Sequence, residues 1–187
     1  MIARLARFSL YPLSFLFTLH AADTVTPAEK YFTNVLLTNQ NGAQVRFYAD
    51  LLKDKVVVVN NFFTSCKDSC PMMAHNLAAV QKEFHDRIGK DLYILSISVD
   101  AANDTPAVLS KYAAEWHALP GWYFLTGPKE NVDFVLLRLG QKINQREDHT
   151  NLFFIGNDKT GLWKKVLGMA KPEELIAIVR TVLNDGK

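Results

Sequence analysis

Residues 56–71, VVVVNNFFTSCKDSCP, carry a β-branched and aromatic run straight into the only two cysteines of the chain, Cys66 and Cys70. Such a run, without polar alternation through its valines, reads as a strand covered on both faces. Pro71 suits the first turn of a helix, where a backbone N–H has no partner to lose. Behind it Met73, Leu77, Val80, Phe84 and Ile88 recur at steps of four, three, four and four, which is one helical face, and Gly89 closes it. The thiols therefore stand where a buried strand ends and a helix begins.

Reading outward gives the rest of the architecture. Upstream, YFTNVLL and QVRFY flank the turn signal Asn39-Gln40-Asn41-Gly42 and predict a hairpin. A frayed opening over Asp23 to Lys30 precedes it. Downstream, LYILSISV is a second buried strand, and Thr105-Pro106 starts a helix with Thr105 as N-cap. WYFLTG follows as a short strand, then a helix near residues 130–139 stopped by Gly140. NLFFIG and LWKKVLG are two strands joined by a turn at residues 157–161, and Pro172 to Leu183 forms the closing helix. Helices alternate with the early strands and a hairpin comes late, so the fold class is α/β with a mixed central sheet flanked by helices. In such sheets chemistry gathers beyond the carboxyl ends of the strands, where Cys66 and Cys70 lie.

Length and charge narrow the function. The 187 residues, 49% hydrophobic, suffice for one well-filled domain. Lysine and arginine number 21 against 19 acids, and without Arg4 and Arg7 the two signs balance. No basic stripe remains to hold nucleic acid. Arg4 and Arg7 open a charged, then apolar, then small-residue order: Phe8 to Leu19 is mostly apolar, and His20, Ala21, Ala22 and Asp23 follow. That is the layout of a secretory signal peptide, cut after Ala21 or Ala22. Its apolar stretch of 12 residues holds Pro12 and falls short of the about 20 needed to span a bilayer, so an uncleaved anchor is the weaker reading. Export places the thiols in an oxidising compartment, the bacterial periplasm.

Three roles compete for the cysteine pair. A disulfide staple across so short a loop adds only about 2 kcal/mol, and a domain of this size does not need it. A redox pair is favoured by Lys67 and the helix N-terminus, both of which stabilise thiolate. A metal site is the third: thiolates are soft and select copper(I) or zinc, and imidazole suits either. Structural zinc asks for a fourth ligand, which no further cysteine supplies, so copper fits better while zinc with a water stays open.

Four blocks, NFFTSCKDSCPMM (61–73), SISVDAANDTPAVLSKYA (96–113), GWYFLTG (121–127) and DHTNLFFIGNDKTG (148–161), together resemble the Sco/SenC family of thioredoxin-fold copper proteins. The resemblance runs from about Val35 to Leu183. With residues 1–21 read as signal peptide and 22–34 as a flexible segment, the resemblance implies that residues 35–187 form one thioredoxin-like domain with an N-terminal β-hairpin. It further implies a periplasmic metallochaperone that binds copper(I) through Cys66, Cys70 and His149. Such proteins serve the binuclear copper site of cytochrome c oxidase, by delivering copper or by reducing the cysteines of the copper-binding subunit. His149 precedes NLFFIG, where ordinary thioredoxins place a cis-proline. Between the cysteines this chain has Lys67-Asp68-Ser69, where relatives often have a proline and an aliphatic residue, which bears on the cuproprotein served.

Three function classes follow: a copper(I) metallochaperone, a thiol:disulfide oxidoreductase using Cys66 and Cys70 as its catalytic pair, and a redox- or copper-sensing binding module. The partner expected is a copper-binding oxidase subunit or similar cuproprotein, with membrane contact only through that partner or an uncleaved anchor. Other residues have plainer readings. Met73 belongs to the apolar helix face, while Met72 is a thioether of undecided role. His75, His85 and His117 lack a partner pattern. Asp100 and Asp104 stand near the site but outside its ligands, Asp104 being equally explained by the helix start. Trp116, Trp122 and Trp163 are packing aromatics.

Overall fold

The computed structural model of the chain describes residues 25–141 and 151–186. The four valines of the opening run settle the layering. They lie in strand β3 (Val56–Phe62), every residue of which is buried. Because side chains alternate along a strand, Val56, Val58 and Phe62 join one apolar core and Val57 and Val59 the other. A strand clad on both faces must lie inside a sheet with helices on either side.

That sheet has seven strands. β1 (Leu36–Asn39) and β2 (Gln44–Arg46) form the early hairpin. β4 (Leu92–Ser98) and β5 (Trp122–Thr126) follow, and β6 (Leu152–Asn157) and β7 (Leu162–Leu167) form the late hairpin. Their order is β2-β1-β5-β4-β3-β6-β7. β3 runs parallel to β4 and β4 to β5, whereas β1 against β5 and β6 against β3 are antiparallel. The sheet is mixed, as the element pattern predicts.

Helices α2 (Ser69–Glu83), α3 (Pro106–Glu115) and α5 (Pro172–Leu183) supply buried residues to the core that holds Val58 and Cys70. On the opposite face α4 (Lys129–Arg138) contributes Val132, Val135 and Leu136. Thr105 caps α3 as expected, its Oγ1 accepting from the Val108 N–H. The predicted face of α2 is fully buried through Met73, Leu77 and Val80. Trp122 is buried too, its Nε1 donating to Ser96 Oγ at 3.0 Å, and Ser96 in turn donates to Asn60 Oδ1 at 2.7 Å.

Three local expectations need correction. The described part of the frayed opening is a short helix, α1 (Pro27–Phe32), capped by Thr26 and held by Phe32, which packs on Phe47 and Trp163. The hairpin strands are shorter than YFTNVLL and QVRFY, because Tyr31 and Phe32 belong to α1 and Phe47–Leu52 turns into a π-helical segment that buries Phe47, Tyr48, Leu51 and Leu52. Helix α2 ends at Glu83 with Phe84 as its cap, ahead of Gly89. Gly89 answers a different need: with φ of 79°, a Cβ there would lie 2.5 Å from the Pro120 carbonyl oxygen.

Candidate functional site

The thiols sit at the junction of β3 and α2. The end of β3 is pinned to its parallel neighbour where the Val99 N–H donates to the Phe62 carbonyl at 2.9 Å. A tight turn follows, with the Cys66 N–H donating to the Phe63 carbonyl at 3.1 Å. Cys66 ends half-buried and Cys70, in the first turn of α2, is buried at 2% exposure. Neither is joined in a disulfide, and their side chains share a hydrogen bond. The sequence spacing thus brings the two sulfurs together on one side of the loop.

Burial pushes the Cys70 thiol up to about 12, helped by the bond to Cys66 and by the negative charges of Cys66 and Asp68. A backbone hydrogen bond from Phe63 works against this and loses. The expectation that Lys67 and the helix N-terminus leave a ready thiolate is therefore corrected for Cys70. Lys67 is exposed, and withdrawing the sulfur from water outweighs the local charges. A soft cation that replaces the shared proton would meet a basic, water-shielded sulfur at Cys70 and a more open one at Cys66. The two cysteines fit copper(I) in chemistry: two adjacent sulfurs in an apolar setting. Among the described residues no three His, Cys, Asp or Glu side chains converge on one point. His149, the third ligand implied by the resemblance, lies outside the described residues. Asn151, two positions later, accepts at its Oδ1 a 2.6 Å hydrogen bond from Ser69 Oγ, next to Cys70 in the chain.

Asp104 is the residue that sequence reasoning undervalued. It is 1% exposed and turned inward, while Thr105 does the capping. Its Oδ2 accepts from the Thr64 N–H at 3.1 Å and from Ser98 Oγ at 2.5 Å, and its Oδ1 accepts from Thr64 Oγ1 at 2.5 Å. One buried carboxylate so clamps the loop leading to Cys66 onto the end of β4. Asp100 instead accepts from Asn103 Nδ2 at 2.9 Å, and its N–H donates to Ser98 Oγ. Tyr112 is a second omission. Its ring stacks on Phe62 with centroids 5.4 Å apart, and burial, with the nearby charges of Cys70 and Cys66, raises its hydroxyl to about 12 despite a hydrogen bond with Trp116. No local sequence signal marks it. His75, His85 and His117 are exposed, as is Met72 at 48%, whereas Met73 is fully buried.

Comparison with known proteins places these features in a family. The family model described as SCO1/SenC matches residues 24–184, most of the chain. The SCO1 protein homolog of Bacillus subtilis is 37% identical over 90 residues, which are 48% of this chain and 45% of that protein. The chain spans about half the length of the curated relatives it matches. A solved structure of BsSco, from the Sco family of cytochrome c oxidase assembly proteins and described for its disulfide switch, is 28% identical with a TM-score of 0.65. That likeness covers 79% of this chain and 90% of that one. Arabidopsis thaliana ScoI, solved with copper bound, is 24% identical with a TM-score of 0.66, covering 79% of this chain and 94% of that one. At that identity the likeness speaks for the fold, which is thioredoxin-like as expected.

Proposed function

Because the chain belongs to the SCO1/SenC family, we propose that it is a periplasmic copper(I)-binding metallochaperone that assists assembly of the binuclear copper site of cytochrome c oxidase. One observation carries the reading: the two cysteines of the chain are brought into hydrogen-bond contact at the carboxyl end of a central strand, one buried and one half-open. Two adjacent soft sulfurs suit copper(I), and a neutral imidazole from His149 would complete a trigonal set. The periplasmic assignment rests on the charged and apolar order of residues 1–21.

Anaerobic copper(I) titration of the reduced protein tests the proposal. One copper per chain is expected, with two sulfur neighbours and one nitrogen neighbour by X-ray absorption. His149→Ala should weaken binding strongly and leave disulfide formation intact, while Cys66→Ser or Cys70→Ser should abolish both. Unchanged affinity and coordination in His149→Ala would refute the chaperone reading.

A thiol:disulfide exchange role is the second reading, and the asymmetry of the pair favours it. The more open Cys66 thiolate would attack a partner disulfide and form a mixed disulfide. Cys70 would then give up its proton toward the departing partner sulfur and attack Cys66, releasing the partner as a dithiol and leaving a Cys66–Cys70 disulfide. That disulfide cannot hold copper(I), so the oxidation state would gate the metal site.

A further inference from the structure

Methionine is among the residues a fold most often hides. Of the methionines beyond Met1, only Met73 is buried; Met72 is 48% and Met169 55% exposed. These two belong to different elements, and one side chain draws their elements together. Asn76 Nδ2 donates to the Gly168 carbonyl at 3.1 Å and to the Ala170 carbonyl at 3.0 Å, gripping the β7–α5 turn on both sides of Met169. Met72 stands one turn before Asn76 on α2, on the same helical face, where Cβ atoms are about 5–6 Å apart.

The turn cannot stand off from the helix. A Cβ on Gly168 would lie 2.8 Å from the Met73 sulfur, so the turn packs closely against the helix there. The same turn is tied to the thiol site, since the Gly168 N–H donates to the Asn151 carbonyl at 2.7 Å and Asn151 accepts from Ser69. Met72 and Met169 thus stand on the two elements that Asn76 joins, each exposed and each with a long unbranched side chain that reaches and adapts.

We propose that Met72 and Met169 together form an exposed thioether station for a soft monovalent metal ion at the edge of the thiol pair. Its role rests on the copper reading of Cys66 and Cys70, although its geometry does not. Thioether sulfur selects copper(I) as thiolate does, but binds as a neutral donor. It has no proton to displace, and it cannot be withdrawn into a disulfide. The station would thus take or release the metal ion whichever redox state the cysteines are in, and would hold it more weakly than they do.

Silver(I), a diamagnetic soft ion, is the probe, with the ε-methyl groups of the methionines labelled with carbon-13. In the Cys66→Ser/Cys70→Ser chain the Met72 and Met169 methyl signals should move together, reaching one silver per chain, while Met73 stays still and reports an intact core. Met72→Leu should weaken the response of Met169 about tenfold or more, as expected when one arm of a two-donor site is lost. In the reduced unsubstituted protein the same two signals should move only after a first silver has occupied the thiols. If the double variant fails to fold, that second equivalent carries the test alone. Methyl signals that stay fixed, or a Met169 response unchanged by Met72→Leu, would overturn the station and leave the copper reading intact. Methyl signals that respond as expected in a chain whose thiols take up no silver would instead sink the copper reading and spare the station.

Discussion

Replacing Asp104 by alanine should loosen the approach to Cys66. The wild-type carboxylate accepts three hydrogen bonds, two from Thr64 and one from Ser98, at 1% exposure. Bonds to a charged acceptor are worth about 1.5 kcal/mol each at the low end, so three give roughly 4–5 kcal/mol. Water reaching the half-buried Thr64 recovers part of this, leaving a cost of about 3 kcal/mol. For a chain of this length that lowers the melting temperature by about 6–12 °C. Asp104→Asn keeps an oxygen facing the Thr64 N–H and lets the Thr64 hydroxyl turn to accept, so it should cost only about 1 kcal/mol. Urea unfolding of the reduced protein measures both, with the midpoint moving and the slope unchanged. Thr64→Val combined with Asp104→Ala should show a coupling of about 1 kcal/mol, because both remove the bond from Thr64 Oγ1 to Asp104 Oδ1. A cost below about 1 kcal/mol for the alanine variant, or strict additivity with Thr64→Val, would show that the clamp does not hold the loop.

Two further outcomes follow from packing and protonation. Folding holds the Cys70 proton to about 12 against an ordinary 9, so above pH 9 the unfolded chain releases a proton that the folded chain keeps. Stability should be fully retained below that point and fall as pH rises toward 12, by up to about 1.4 kcal/mol per pH unit. Tyr112, raised from 10 to about 12, adds in the same direction above pH 10. Urea midpoints of the reduced protein across this range should show the decline, and Cys70→Ala should flatten it between pH 9 and 10. Separately, a Cβ on Gly156 would lie 2.6 Å from the Trp163 ring across the β6–β7 pair, so Gly156→Ala should cost about 1–3 kcal/mol and disturb the packing of Trp163 on Phe32. Thermal melts and tryptophan fluorescence read that change.

The parts of this fold that were legible in the sequence are those whose causes are local. The valine run, the Thr105-Pro106 start and the closing helix from Pro172 to Leu183 each stand where the sequence puts them. Helix α1 carries the same Thr-Pro start, yet its stability comes from Phe32 on Phe47 and Trp163, contacts that no window around it contains. The cysteine pair was legible as a site from its position alone. Its protonation was not, because Lys67 and the helix end are neighbours in sequence while the buried core that holds Cys70 also draws on remote residues such as Leu109 and Phe153. Asp104 follows the same division: it sits beside a helix start, but one of its two partners, Thr64, is 40 residues away.

The bond from Ser69 to Asn151 joins positions 82 apart, and β3 has β4 on one side and the late strand β6 on the other. A chain made from its N-terminus completes α2 and both thiols long before β6 exists. Through that interval the sulfurs belong to a half-built sheet with one flank of β3 open and the cysteine helix untethered at its first turn. Closure of the site is therefore among the last events of folding, since pairing across so long a loop is slow compared with forming the helices. Possession of a finished thiol site then certifies that about the last fifth of the molecule, from β6 onward, has arrived. A chain cut short before β6 would present its cysteines with that flank of β3 uncovered.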